Sequence, residues 1–245
     1  MSIPSVLRDR LIHPFGRALL NSANRALSHA SPIERRAIYS PAEFPWTQIL
    51  EKEYPNILTE LRTLLKDVDY IPEFSDLSRD QSHLAGAGQW RTFFFLAYGV
   101  WARENAARCP QTVAAIQQIP GLRTAFFSIL APGAHIRAHR GPYGGVLRYH
   151  LGLIVPDAYT RCRIRVDETW HAWQAGESFI FDDTFEHEVI NDTDDARVVL
   201  FVDFERPLLP PAREINRALL ELIRHSPLVQ DGVANYERIQ ARGLN

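Results

Sequence analysis

The chain has 245 residues, with 27 Lys and Arg against 29 Asp and Glu, and 46% of the residues are hydrophobic. This composition supports a full hydrophobic core and argues against global disorder, and the even charge balance gives no electrostatic case for nucleic-acid binding. Two cysteines without a CxxC motif, Cys109 and Cys162, argue against a disulfide scaffold. With no signal-peptide pattern and no run long enough to span a bilayer, a cytoplasmic protein is expected.

The chain up to about residue 125 is predicted to be mostly helical, within a single domain. The stretch "PNILTELRTLLKDV" predicts a helix with one apolar face, formed by Ile57, Leu58, Leu61, Leu64, Leu65 and Val68. "WRTFFFLAYG", residues 90–99, predicts a strand. "CPQTVAAIQQIPG" predicts a further helix that begins near Pro110 and ends at Pro120–Gly121. We expect residues 1–89 to form a helical region that supports the core.

From residue 124 the hydrophobic period changes from helical spacing to two. In "VLRYHLGLIV" one face carries Leu147, Tyr149, Leu151 and Leu153, and the other carries Arg148, His150 and Gly152. In "RVVLFVDF" the residues Val198, Leu200 and Val202 oppose Arg197, Val199 and Phe201. "CRIRV" and "ESFIFDD" are further short strands. Short strands between Gly, Pro and Asp turns predict a sandwich or small barrel over residues 90–207.

The two ends of the chain are predicted to be helical additions to this core. Residues 208–245 include "PPAREINRALLELIRHS", which predicts a helix whose apolar face holds Ile215, Leu219, Leu222 and Ile223. Residues 1–29 are basic and amphipathic, a pattern compatible with an anionic membrane surface. Packing onto the barrel is the favoured role, and no more than weak membrane contact is expected.

Two of the nine histidines, His139 in "AHRGP" and His187 in "FEHEV", lie where a predicted strand meets a turn. Turns at strand ends over a rigid sheet are common places for binding sites. Two imidazoles brought together across a small barrel would suit a divalent transition metal such as iron(II). On spacing alone, a pair of surface histidines is an equally good interpretation.

A two-histidine iron site usually takes a carboxylate two residues after the first histidine, where this chain has Gly141. Either no metal binds, or a water fills that position. Asp182 and Asp183 are candidates to orient such a water, although capping a strand end is the simpler role, above all for Asp182. An aspartate introduced at position 141 is expected to bind metal at least as well and to displace that water.

Two arginines on the predicted strands, Arg148 and Arg197, indicate an anionic binding partner. Arg148 precedes His150 by two residues on one strand, and Arg197 lies on an otherwise apolar strand. A buried arginine is unfavourable unless a carboxylate meets it, either from the protein or from a dicarboxylate cosubstrate. Beside a two-histidine metal, these arginines indicate a 2-oxo acid bound to iron, with its far carboxylate on Arg197.

In chain order, five stretches resemble one known family, the aspartyl/asparaginyl β-hydroxylases, which are iron(II)- and 2-oxoglutarate-dependent dioxygenases. They are "SILAPGAHIRAHRGP", "LRYHLGLIVP", "CRIRV", "AGESFIFDDTFEHEV" and "RVVLFVD", within about residues 90–207. The resemblance implies a double-stranded β-helix with flanking helices, in agreement with the period-two pattern. It also implies iron(II) as cofactor and 2-oxoglutarate and O₂ as cosubstrates.

The resemblance assigns roles to particular residues. His139 and His187 are similar to the iron ligands, and Gly141 matches a glycine found in the protein-hydroxylating branch. The cosubstrate residues are matched as follows: Arg197 at the far carboxylate with Ser128 assisting, Arg148 and His150 at the metal-side carboxylate or the substrate, and Trp90 upstream of the barrel.

The resemblance to the family indicates the reaction more firmly than it indicates the substrate. The β-carbon of an Asp or Asn residue is the first expectation, and a lipid acyl chain or small metabolite is the second. A branch that hydroxylates lipid A acyl chains shares "HR.P..G.LRYHLGL" and "ERP", but is expected to have an aspartate at position 141 and apolar anchors, neither of which this sequence shows. A non-catalytic, cupin-like metal-binding sensor and a zinc hydrolase, which would normally need three protein ligands, are the rivals from other classes.

Overall fold

The computed structural model describes residues 22, 24, 26, 27, 29–66, 71–74, 84–226, 229, 230, 232, 233 and 236. Within them the strands are β1 Ile38–Tyr39, β2 Trp90–Ala97, β3 Val100–Trp101, β4 Leu122–Leu130, β5 His135–His139, β6 Val146–Ile154, β7 Cys162–Val166, β8 Thr169–Ala172, β9 Ser178–Phe181, β10 His187–Asn191 and β11 Arg197–Glu205. The strand predicted at residues 90–99 is confirmed, and β4 begins slightly before the predicted change of period. Every strand pairing is antiparallel.

Two sheets build the core. The larger has the order β1-β9-β6-β11-β4-β2-β3, and the smaller has the order β5-β10-β7-β8. Strands β4 to β11 therefore divide into two facing four-stranded groups, β9-β6-β11-β4 and β5-β10-β7-β8, which is the order of a double-stranded β-helix. The predicted fold class is confirmed, and β1, β2 and β3 extend the larger sheet at its two edges.

The helices whose bounds the structure describes are α1 Thr47–Lys52, α2 Tyr54–Leu64, α3 Arg103–Arg108, α4 Pro110–Ile116 and α5 Ala212–Arg224. Ile57, Leu61 and Leu64 of α2 are buried in one cluster with the outward-facing residues of the larger sheet, so this helix covers that face. Leu58 and Leu65 pack against the same cluster, as the helical spacing predicts. Val68 lies outside the described residues.

The alternation along β11 separates the two faces of the larger sheet. Val198, Leu200 and Val202 join the cluster beneath the helices, whereas Val199 joins a second cluster between the sheets. Side chains two residues apart share a face, so Arg197 and Phe201 point with Val199 into the barrel. The polar groups of the site are therefore held on the inner face of a rigid strand.

Helix α5 agrees with its prediction only in part. Leu219 and Ile223 pack against a buried cluster, but Ile215 and Leu222 are 54% and 69% exposed. Asn216 and Leu220 are buried in their place. Asn216 Nδ2 donates to the Gly145 carbonyl at 3.0 Å, and its Oδ1 accepts from the Tyr143 hydroxyl at 2.6 Å. The helix thus turns the side-chain amide of Asn216 toward the β5–β6 loop, because that loop has backbone polar groups that need hydrogen-bond partners.

Among the described residues, no helix is both long and apolar enough to cross a membrane. The amphipathic segment predicted at residues 1–29 lies mostly outside the described part of the chain.

Candidate active site

His139 and His187 face each other across two neighbouring strands. His139 ends β5, His187 begins β10, and the two are direct partners in the antiparallel register. Their ring centroids are 4.1 Å apart. The Nδ1 atoms contact the carbonyl oxygens of Arg137 and Phe185 at 2.7 and 3.0 Å. When Nδ1 donates its hydrogen in this way, the lone pair that can bind a metal lies on Nε2, and metal-binding histidines usually have their other ring nitrogen held by such a hydrogen bond.

Burial distinguishes this pair from two surface histidines. His187 is only 3% exposed. Its burial, with the neighbouring His139, lowers the pKa of His187 to about 3. A neutral imidazole is the form that binds a metal ion. In the described part of the chain, no group of three or more His, Cys, Asp or Glu residues is placed to hold a metal.

Asp183 lies directly against Gly141. The Gly141 amide donates to the Asp183 carbonyl at 2.7 Å, and a Cβ atom at position 141 would overlap the Asp183 carboxylate. A side chain at position 141 would therefore have to displace the Asp183 carboxylate, and metal binding by an aspartate at 141 stays a prediction. Asp183 is 5% exposed and its Oδ1 makes no hydrogen bond, and burial raises the pKa of this carboxyl to about 6 despite Arg148.

Arg148 is neutralised by the protein itself. Its guanidinium lies 3.0 Å from Asp183 Oδ2 and donates from Nε to Asp203 Oδ1 at 2.9 Å. Burial disfavours the charge, but Asp203 and Asp183 outweigh that effect and raise the pKa of Arg148. Asp203 was missed by sequence reasoning. The signal was present, since Asp203 continues the inward alternation of Arg197 and Phe201 along β11.

Arg197 has no such partner. It is 1% exposed, its Nε and Nη1 make no hydrogen bond, and no carboxylate among the described residues forms an ion pair with it. Its guanidinium carbon lies 4.4 Å from the ring centre of Trp173. Burial lowers the pKa of Arg197 to about 10, although a hydrogen bond to Cys162 opposes this effect. A buried cation without a counter-ion is unfavourable, so this position has the character of an anion site.

Other buried polar atoms without partners lie close to Arg197. Both ring nitrogens of His150 and Nε1 of Trp173 make no hydrogen bond. The rings of His150 and Trp173 stack with centroids 6.0 Å apart. Burial first, and then the charges of Arg197 and Arg148, lower the pKa of His150, so the imidazole is neutral. This set of unpaired donors fits a ligand that carries a carboxylate.

Ser128 and Trp90 are joined to each other. Trp90 Nε1 donates to Ser128 Oγ at 3.0 Å, and the Trp90 ring stacks on Phe74 with centroids 3.9 Å apart. Ser128 is buried and pairs with Val199, two residues from Arg197. The structure therefore places Ser128 on the same inner face as Arg197 without a direct contact between them.

Asp182 has a structural role. Its Oδ1 accepts from the backbone and hydroxyl of Thr184 at 3.0 and 2.6 Å, as expected of a turn residue. Its Oδ2 lies 2.5 Å from Nη2 of Arg206, and Arg206 Nε donates to the Gly144 carbonyl at 2.6 Å. Arg206 and Asp182 are both buried, and they tie the β5–β6 loop to the β9–β10 loop. These are the loops that follow His139 and precede His187.

One cavity of about 280 Å³ opens beside His139, Asp183 and Arg148. Aromatic side chains from several elements contribute to its wall: Trp90, Phe94, Tyr98, Phe126, Phe201 and Tyr236. Val229 and Val233, which follow α5, also contribute to its wall. We call this cavity the apolar chamber. Sequence reasoning missed it, because its walls come from segments that are far apart in the chain.

The site so assembled can be compared with known proteins. A model of the aspartyl/asparaginyl β-hydroxylase family matches residues 51–207. An ornithine lipid ester-linked acyl 2-hydroxylase of Rhizobium tropici is 49% identical over 200 residues, which cover 82% of this chain and 71% of that protein. The human aspartyl/asparaginyl β-hydroxylase is 30% identical over 198 residues, covering 76% of this chain and 25% of that protein, so this chain spans about a quarter of its length.

Among solved structures, a Pseudomonas putida prolyl-4-hydroxylase is similar with a TM-score of 0.39 and 18% identity, over 76% of this chain and 98% of that one. The family match, with a double-stranded β-helix, defines a hydroxylase, an oxygenase-type enzyme. The chain belongs to the aspartyl/asparaginyl β-hydroxylase family. The match begins at residue 51, so it includes helix α2 as well as the barrel predicted from the sequence.

Proposed function

We propose that this protein is an iron(II)- and 2-oxoglutarate-dependent hydroxylase that acts on the acyl chain of a lipid. The observation that carries the proposal is the apolar chamber, which leads from His139 and Asp183 into a wall of aromatic side chains. A hydroxylase whose reactive centre faces such a chamber is suited to an unactivated C–H bond in a hydrocarbon chain.

The residues present fit a metal and a dicarboxylate. His139 and His187 would hold the iron, since each presents Nε2 while its Nδ1 contacts a backbone carbonyl. Arg197 would bind the far carboxylate of 2-oxoglutarate, because its guanidinium is buried and its Nε and Nη1 make no hydrogen bond. When bound together, iron(II), 2-oxoglutarate and O₂ supply an oxidant able to attack an unactivated C–H bond, with succinate and CO₂ as co-products.

The protein's own groups would bind and orient these reactants. Asp183, held by Arg148 at 3.0 Å and with Oδ1 free of hydrogen bonds, would accept a hydrogen bond from a water that completes the metal site. His150 is neutral and adds no charge repulsion beside a bound cation. Trp173 and the aromatic side chains of the barrel exclude water from the reacting centre, which limits side reactions of a strong oxidant.

The substrate assignment rests on two further points. The relative with 49% identity is named as an acyl 2-hydroxylase of an ornithine lipid, which supports an acyl chain here. Arg148 already pairs with Asp183 and Asp203, so its charge is not available in full for a substrate carboxylate. An Asp or Asn side chain, favoured by the name of the human relative, is the second candidate, with Arg140 at the chamber as its carboxylate contact.

The test is a turnover assay with purified protein, iron(II) and 2-oxoglutarate. Succinate release is measured with an ester-linked acyl lipid in mixed micelles, with Asp- and Asn-containing peptides, and without substrate. We expect the lipid to stimulate succinate release and to gain one oxygen atom by mass spectrometry. Stimulation by peptide alone would favour the second candidate. No stimulation by either, together with tight metal binding, would favour a non-catalytic sensor.

We also infer that the protein works in the cytoplasm. Cys109 and Cys162 are both buried and unpaired, as in a reducing compartment. Fractionation of cells into cytoplasmic, membrane and periplasmic or secreted material would test this, and recovery outside the cytoplasm would overturn it.

A further inference from the structure

A row of ring side chains crosses four strands, and three of its members, Phe201, Phe126 and Phe94, line the apolar chamber. Phe201 of β11 is opposite His150 of β6 on one side and Phe126 of β4 on the other, and Phe126 is opposite Phe94 of β2. The ring centroids along the row are 5.2 Å apart for His150 and Phe201, 4.1 Å for Phe201 and Phe126, and 4.5 Å for Phe126 and Phe94. The row leads away from the histidine site toward the edge of the sheet.

The row ends against Tyr236. The Tyr236 ring meets Phe94 edge-on, with centroids 5.9 Å apart, and Tyr236 is 5% exposed. Asn105 Nδ2 donates to the Tyr236 hydroxyl and also to the Phe94 carbonyl, the latter at 2.7 Å. Asn105 is 1% exposed, so the ring of Tyr236 is held by a buried amide that is itself fixed to the β2 backbone.

The two ends of the chamber differ in exposure and polarity. Arg140 at the histidine end is exposed and His139 is partly exposed, whereas the Tyr236 end is buried and flanked by Val229 and Val233. A lipid with a polar head and an apolar tail would therefore keep its head at the histidine end. Its tail would extend along the aromatic row toward Tyr236.

We propose that Tyr236 is the end wall that limits the length of the acyl chain that the chamber accepts. This inference rests on the proposed acyl-chain substrate and goes beyond it, because it assigns chain-length selectivity to one residue. The ring of Tyr236 fills the end of the aromatic row, and its volume, packed edge-on against Phe94, blocks a longer chain.

The test measures binding and does not depend on turnover. A fluorescent fatty acid is displaced from the full-length protein by straight-chain fatty acids from octanoate to stearate. Affinity is expected to rise about fourfold for each methylene that enters the chamber, since burying one CH₂ is worth about 0.8 kcal/mol. In the wild type this rise stops at the chain length that reaches Tyr236.

Three variants locate the end wall. Tyr236→Ala should move the stopping point to longer fatty acids, because it opens the end of the row. Tyr236→Phe is the matched control, which retains the ring and should keep the wild-type stopping point. Val233→Phe adds volume to the same wall and should move the stopping point to shorter chains, which provides a second readout if Tyr236→Ala does not fold.

The possible results separate the two proposals. A wild-type protein whose affinity does not depend on chain length at all would overturn the acyl-chain assignment itself. A wild-type protein with a clear stopping point that neither Tyr236→Ala nor Val233→Phe moves would leave that assignment standing, but would show that Tyr236 is not the end wall.

Discussion

The carboxylate of Asp183 occupies the space that a side chain on Gly141 would need. The two residues are also joined through the backbone, with the Gly141 amide donating to the Asp183 carbonyl at 2.7 Å. A carboxylate from a different loop therefore lies in the wall of the same cavity as His139. Glycine at position 141 leaves room for it.

Gly141→Ala should therefore disturb Asp183 and little else. The added Cβ atom must push the Asp183 carboxylate away from the histidines, so succinate production should fall by at least tenfold. Gly144→Ala in the same loop is the matched control, because its Cβ would meet only the ends of the Asn24 and Thr184 side chains, at 3.3 and 3.4 Å. Circular dichroism monitors folding, and equal activity of the two alanine variants would contradict this account.

Removing either histidine should abolish metal-dependent turnover without unfolding the protein. His139→Ala and His187→Ala each leave a single imidazole, which binds a divalent metal too weakly to retain it. Isothermal titration with iron(II) under anaerobic conditions, or with a redox-inert divalent substitute, measures the loss directly. His225→Ala is the control, since His225 is exposed and lies at the end of α5. Near-wild-type affinity in either site variant would show that the metal binds elsewhere.

Arg197 should be needed for the cosubstrate and not for the fold. Arg197→Ala should raise the KM for 2-oxoglutarate strongly, because truncating one partner of a buried charge pair typically costs about 2–5 kcal/mol, on the order of thirtyfold or more in affinity. Arg197→Lys should raise it less, because a cation remains but the planar fork is lost. An unchanged KM in the alanine variant would place the far carboxylate elsewhere.

The same residue gives a prediction about stability. Without ligand, Arg197→Met should unfold at the same or a higher Tm than the wild type, because Arg197 is a buried cation without a carboxylate partner among the described residues. Adding 2-oxoglutarate with a divalent metal should raise the Tm of the wild type more than that of the variant. A clear loss of Tm in the ligand-free Met variant would point to an interaction that the folded protein needs.

The Arg206–Asp182 pair should behave in the opposite way. Arg206→Met leaves the Asp182 carboxylate buried with one partner fewer, and breaking a buried pair typically costs about 3–5 kcal/mol of the free energy of unfolding. Arg213→Ala, which removes an exposed pair with Glu214, should cost about 1 kcal/mol at most. Urea denaturation of both variants compares the two, and equal midpoints would mean that Arg206 contributes little to holding the loops together.

The sequence alone determined the elements that depend on local pattern. Period-two alternation placed Arg148 and His150 on one face of β6, and Arg197 and Phe201 on one face of β11. The reason is that side-chain direction in a strand follows from the backbone pleat. The same local logic placed His139 and His187 at strand ends. The helical spacing of the apolar residues identified the buried face of α2, because the apolar side of a helix is the side that packs on the core.

Tertiary structure decided what each of these residues meets. The sequence left open whether a buried arginine finds a protein carboxylate, and the fold answers differently for the two: Arg148 meets Asp203 across paired strands, and Arg197 meets none in the described part of the chain. Likewise, Asn216 is buried on α5, although the apolar periodicity of that helix favoured Ile215 and Leu222 for burial. Tyr236 closes the apolar chamber. These outcomes depend on contacts between segments that are distant in the chain. Such contacts follow from strand order and packing, and local sequence periodicity carries no information about either.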